Sequence, residues 1–240
     1  MFNPTVARLT YRGVLGRRRA LILFALPVLL VVIAIAVRAL TGADDTTARE
    51  ILGSFALATM VPLIGVIAGT GAIGPEIDDG SVVYLLAKPV RRFSIVFTKL
   101  VVAIGVTAVF SAVPVLVAGY ILNDNGGQIA VAYAIAAAVA SVAYAALFLF
   151  FGTISRHAVV FGLIYALVWE SLFGSLVSGA RALSIQQWAL SLAEKIAGPG
   201  SGITSEVGLP VGMALLAVVT VAATWYAGRR LKGLTLAGEE

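Results

Sequence analysis

The chain has 240 residues, 60% of them hydrophobic and only 12% charged, against roughly 45–50% apolar and about 25% charged in an ordinary soluble domain. A mean hydropathy of +1.01 excludes a water-soluble enzyme, and it excludes disorder, which requires low hydrophobicity and high net charge. The lack of cysteine removes disulfides and thiolate chemistry, and the net charge of +5 has to be weighed against a membrane before nucleic acid is considered.

Asn3-Pro4 supplies a helix start, with an N-cap and a proline at the first helical position. Ala7, Tyr11 and Val14 then share one face, and Arg8, Arg12 and Arg19 share another. Two readings of residues 1–19 stand: a cytoplasmic helix lying along the inner membrane surface, or a basic tail that only sets orientation. Ala20–Val37 follows as the first apolar span. Arg17-Arg18-Arg19 before it imitates a signal peptide, but its 18 uncharged residues exceed a signal core and five more spans come after it. Those are Ile51–Ile73, Leu100–Leu122, Ile129–Phe151, Ala158–Val177 and Leu209–Gly228, each near the roughly 20 residues a helix needs to cross a bilayer. The expected fold is therefore all-α, a polytopic membrane protein of six transmembrane helices forming one domain over residues 1–240. Gly65-x3-Gly69 in the second span and the alanine-rich fourth span permit close helix contacts, read here as packing within the subunit.

The loop between the second and third spans carries the most information. Pro75 opens a helix, and Glu76, Asp78 and Asp79 sit where the positive end of its dipole favours carboxylates. Lys88 falls at the negative end and Pro89 stops the run. Composition leaves two readings of residues 74–92, a short cytoplasmic helix under the membrane and an ordinary solvated turn.

Glu76-x3-Gly80-Ser81, then Leu85-Leu86, Pro89, and Arg92 seven residues before Lys99 resemble the signature of ABC-2 type transporter permeases, the membrane subunits of bacterial ABC exporters. The resemblance implies that residues 74–92 form a coupling helix that docks into a groove of a cytoplasmic ATPase. Glu76, Gly80, Leu85, Pro89, Arg92 and Lys99 would then be its structural or docking residues, while Asp78 and Asp79 lie outside the pattern. It also implies two cytoplasmic ATPase subunits that bind ATP and Mg, a second permease copy or a paralogue, and no cofactor bound by this chain. The location implied is the bacterial plasma membrane. Rival readings are a proton-coupled secondary transporter and a non-transporting scaffold. The former often carries internal repeats, and no clear repeat relates residues 1–120 to 121–240.

Glu170 is the one charged residue within a span. A carboxylate at that depth is costly, so it faces the bundle or water and is a functional hypothesis by default. A substrate path or gate, a structural hydrogen bond to Ser or Tyr, and a proton carrier are its three readings. Between the fifth and sixth spans, residues 178–208 contain a capping box, Ser184-x-x-Gln187, followed by Ile185, Trp188, Ala189, Leu192 and Ile196 at helical spacing and stopped by Gly198-Pro199. At about 14 residues this amphipathic helix is too short to cross. It either packs on the bundle or, as the resemblance implies, serves as an extracellular gate element, with Glu170 and Trp188 as candidate substrate-path or gating residues.

No G-x4-G-K-[ST] loop occurs, so nothing here binds ATP by that device. His157 is the only histidine, and no metal site is expected. Sorting Lys and Arg by side of the six spans places 13 with the termini and 4 opposite. Positive loops stay inside, so both termini are expected in the cytoplasm, and the basic charge is explained by anionic membrane lipid rather than nucleic acid. A reporter fused after Glu240 should therefore read cytoplasmic, and one inserted at Gly200 should read outside. The same side for both would remove one of the six spans.

Overall fold

Without water in the bilayer core, apolar runs of this length satisfy their backbone within helices. The computed structural model describes residues 4–78, 92–173 and 181–233, which form helices joined by short turns with no strand among them. In chain order these are α1 (Pro4–Val14), α2 (Arg17–Thr41), α3 (Asp45–Glu50), α4 (Val61–Gly71), α5 (Gly74–Asp78), α6 (Arg92–Asn123), α7 (Ile129–Ile154), α8 (Ala158–Ile164), α9 (Ile185–Ala197) and α10 (Leu209–Gly233). Two stretches take the wider π pitch. Ile51–Met60 joins α3 to α4, and Tyr165–Phe173 continues α8.

Five helical runs are long and apolar enough to cross a membrane: Arg19–Thr41, Asp45–Ile77, Phe93–Asn123, Gly126–Ile154 and Leu209–Leu231. The fold is the all-α polytopic one the composition predicts. The expected fifth span, Ala158–Val177, is described as the seven residues of α8 and their nine-residue π continuation. Together they reach at most about 24 Å at 1.5 Å per residue, short of a hydrocarbon core of about 30 Å, and the remainder lies outside the described residues. Two spans begin earlier than hydropathy places them. The second extends back to Asp45 because Asp44 caps α3, accepting from the Thr47 amide at 2.9 Å and the Thr47 hydroxyl at 2.6 Å. These bonds, the hydroxyl's foremost, hold the Asp44 carboxyl below the ordinary carboxylate range. The third begins at Arg92, so Lys99 belongs to the helix rather than to the loop before it.

Side-chain contacts sort the helix ends into two levels. At one, the Arg19 guanidinium donates to the Gly71 carbonyl at 3.3 Å, Lys99 meets Glu76 at 2.7 Å, and Phe93 lies against Gly228. At the other, Arg38 pairs with Asp124 at 2.7 Å, Asn123 donates to Asp45 at 3.0 Å, and Arg49 donates to the Ser201 carbonyl. Helix α1 and the end of α10 thus share one level.

The N-terminal helix is turned by one residue from the expected face. Its packed side is Val6, Thr10 and Val14, set against α4 and α6, while Tyr11 points outward. Thr10 can enter an apolar contact because its hydroxyl donates to the Val6 carbonyl at 2.9 Å, which leaves only its methyl to pack. Arg19 does not continue the face of Arg8 and Arg12, since the chain breaks at Leu15-Gly16 and Arg19 rides on α2.

Helix α7 is the hub, packing on α4, α6, α9 and α10, and its alanines let those backbones approach. Gly65 and Gly69 both face it within the same chain. A Cβ on Gly69 would lie 2.7 Å from Phe148 Cβ and 2.9 Å from the Leu149 backbone nitrogen, atoms that cannot rotate away. Overpacking of this kind costs about 1–3 kcal/mol. Gly69→Ala should therefore lower the detergent unfolding temperature, whereas Gly105→Ala, with nothing within 4 Å of the added atom, should leave it unchanged or slightly raised.

Candidate functional site

Two groups of polar side chains are drawn in among the apolar helices, and each is assembled on a helix end. The first lies where α4 stops. The last carbonyls of a helix lack intrahelical partners and carry the negative end of its dipole, so cations collect there. Arg19 from α2 takes the Gly71 carbonyl, and Lys99 from α6 takes the Ala72 carbonyl at 2.6 Å. The same Nζ donates to Glu76 Oε1 at 2.7 Å. Lys99 is wholly buried, whereas the Glu76 side chain is 28% exposed. One ammonium therefore ties the start of the 74–92 segment to the ends of two long helices. Removing one partner of a buried ion pair costs about 3–5 kcal/mol, and the partial exposure of Glu76 places this pair toward the lower figure.

Of the six residues singled out around the loop, the structure brings Glu76 and Lys99 into direct contact. Arg92 opens α6. Gly80, Leu85 and Pro89 lie outside the described residues, as do Asp79 and the side chains of Asp78 and Arg92. Sequence reasoning missed Arg19, whose position at the very edge of the first apolar run was the available signal.

The second group surrounds Glu170, which is 1% exposed. Its Oε1 accepts from the Tyr165 hydroxyl at 2.9 Å and from the Ile185 amide at 3.1 Å. Its Oε2 accepts from the Ser184 hydroxyl and, at 3.4 Å, from the Gln186 amide. The fully buried Tyr144 hydroxyl faces the same carboxylate without reaching hydrogen-bond geometry. Among these partners, then, a tyrosine and a serine are joined by the first two amides of α9. The carboxylate caps that helix from another element and meets the positive end of its dipole.

This corrects the capping box expected at Ser184-x-x-Gln187. Ser184 makes no side-chain cap bond, because its hydroxyl is donated to Glu170 and the carboxylate has taken its place. Gln186 reaches across to the Gly53 carbonyl at 3.2 Å, in the first π stretch, and the two π stretches pack on each other. Trp188 is buried, and its indole N–H donates to the Ala182 carbonyl at 2.8 Å. Glu170 and Trp188 thus hold the same end of α9, which packs between α7 and α10. Beyond it, Glu194 accepts from the Ser205 amide at 3.0 Å, and Arg49 occupies the space beside Gly202, where an added Cβ would lie 1.7 Å from its Nη1. Among the described residues no cluster of His, Asp and Glu has the makings of a metal site.

A family model described as ABC-2 family transporter protein matches residues 11–169, from Tyr11 in α1 to Trp169 in the second π stretch. The chain belongs to the ABC-2 transporter family. No curated protein matches it. As an ABC-2 permease it is a membrane subunit of an ABC transporter. The match stops one residue before Glu170, so the Glu170 cluster and α9 are known from the geometry of this permease alone.

That geometry makes a graded prediction. Glu170→Ala strands buried N–H and O–H groups, each costing about 1–3 kcal/mol when left unsatisfied. Glu170→Gln keeps an oxygen for Tyr165 and Ile185, and its amide donates to the Ser184 hydroxyl, which turns to accept. Thermal unfolding in detergent should show a large loss for Ala and less than half of it for Gln. Equal losses would mean that the carboxylate does not cap α9.

Proposed function

We propose that this permease is the membrane subunit of an ATP-driven exporter in the bacterial plasma membrane, with both termini cytoplasmic. In this reading two cytoplasmic ATPase subunits bind ATP and Mg, and a second copy of the chain or a paralogue completes the pathway. Residues 74–92 dock on the ATPase, with Gly80, Leu85, Pro89 and Arg92 in the docking segment and Glu76 and Lys99 at its root. The reading rests on one observation above all, the Lys99 ammonium that holds Glu76 and the Ala72 carbonyl together. A displacement of the segment beyond Asp78 pulls on Glu76, and through a buried ion pair that pull reaches α4 and α6 at once. At the other level, α9 and its Glu170 cap act as the outer gate, positioned by Trp188.

The test uses the permease reconstituted with its ATPase in sealed vesicles. Export should continue when the proton gradient is collapsed and stop when ATP is withheld. Arg92→Ala should reduce ATPase co-purification by roughly tenfold, equivalent to about 1.4 kcal/mol. Glu76→Ala should leave co-purification near wild type but lower the substrate exported per ATP hydrolysed. Export that fails on gradient collapse with ATP present would overturn the reading, as would co-purification and coupling both unchanged in the double variant.

A further inference from the structure

At the level that holds Arg19 and Lys99, two neighbouring arginines near the end of α10 line one recess. Arg19, Arg38, Arg49 and Arg181 are held by carbonyl or carboxylate oxygens. Arg229 and Arg230, near the end of α10, are exposed and have no carboxylate partner among the described residues. Arg229 is nonetheless held in place, its guanidinium 3.7 Å above the Trp225 ring. Stacking of this kind fixes the plane of the guanidinium and leaves its edge N–H groups free to donate.

The two arginines close one side of a recess of about 460 Å³, whose other walls are Phe150, Ile154 and Tyr226. The Phe150 and Tyr226 rings in its lining lie 6.1 Å apart. Ile154, 49% exposed, is shared with a second groove of about 490 Å³, lined also by Phe151, Ser155, Phe161, Ile164, Tyr165, Val168 and Trp169. That groove runs along α8 and its π continuation, and its walls are almost wholly apolar. Both volumes fall in the range of about 300–1,000 Å³ that ligand sites occupy. A dipositive rim thus adjoins an apolar trough at the edge of the spanning helices, where a lipid phosphate would lie level with the arginines and a hydrocarbon chain beside α8.

We propose that the Arg229–Arg230 recess and the adjoining α7–α8 groove form a binding site for one anionic phospholipid, its phosphate on the two guanidinium groups and an acyl chain in the groove. Guanidinium forks match phosphate oxygens in geometry as well as charge, and basic pockets between membrane helices select anionic headgroups. The site depends on the membrane location of the chain and not on the direction of transport.

The groove carries its own reporter, since Trp169 lines it and Trp225 lies under Arg229. The purified full chain in nanodiscs is titrated with phosphatidylglycerol or phosphatidylcholine bearing the same brominated chains, and tryptophan quenching is followed. Each basic residue near an anionic lipid contributes about fivefold, so phosphatidylglycerol should quench at a mole fraction roughly 25-fold lower. Arg229→Gln with Arg230→Gln should abolish that preference while leaving the unfolding temperature in phosphatidylcholine unchanged. Arg8→Gln with Arg12→Gln, which removes equal charge elsewhere, should keep it. Equal quenching by the two lipids in wild type would overturn the proposal. So would an equal loss in both double variants, which would reduce the effect to general surface charge.

Discussion

A helix end buried among other helices has no water to complete its hydrogen bonds, and at two such ends the chain brings its own donors and acceptors. Arg19 and Lys99 come from two other helices to cover the carbonyls of Gly71 and Ala72. Glu170 comes from a third to receive the amides of Ile185 and Gln186. The polarity matches in each case, cations on the carbonyl end and a carboxylate on the amide end. Because each cap is supplied from elsewhere in sequence, satisfying the backbone also fixes how the helices sit against one another.

The apolar part of the structure follows a different rule. Lipid is as apolar as leucine, so burying leucine against leucine gains little, and helices associate through close backbone approach instead. Helix α7 shows this in its run of alanines, with Tyr144 and Phe148 stacked 5.9 Å apart at the place where Gly65 and Gly69 make room. Large side chains are turned outward on α2, as with Leu21, Phe24, Val28 and Val32. This permease is therefore packed most tightly where its residues are smallest.

Hydropathy made the long helices legible, and the spacing from Glu76 to Lys99 made the ABC-2 family legible. What it did not give was the depth of Lys99, because a charged residue marks the end of an apolar run even when the helix passes through it. The Glu170 cluster was hidden for a geometric reason. Tyr165 and Glu170 are five residues apart, which is the wrong side of an α-helix but the same side of a π turn, and hydrophobic periodicity has no signal for that pitch. Ser184 followed by Gln187 reads as a self-contained cap, and only the tertiary arrival of a carboxylate overrides it. At α1 the error was of one residue, because a threonine that satisfies its own helix behaves as an apolar side chain.

The ties on the Arg49 level differ in what weakens them. Arg38–Asp124 and Arg181–Glu206 join side chains that are all more than 30% exposed, and such pairs fade as ionic strength rises and the Debye length shrinks from about 10 Å at 0.1 M to about 3 Å at 1 M. Arg49 instead donates to a backbone carbonyl in a slot kept open by Gly202, and a neutral carbonyl attracts no cloud of cations. In brine the carboxylate ties loosen first, and the strap from α3 to the segment leading into α10 stays fastened.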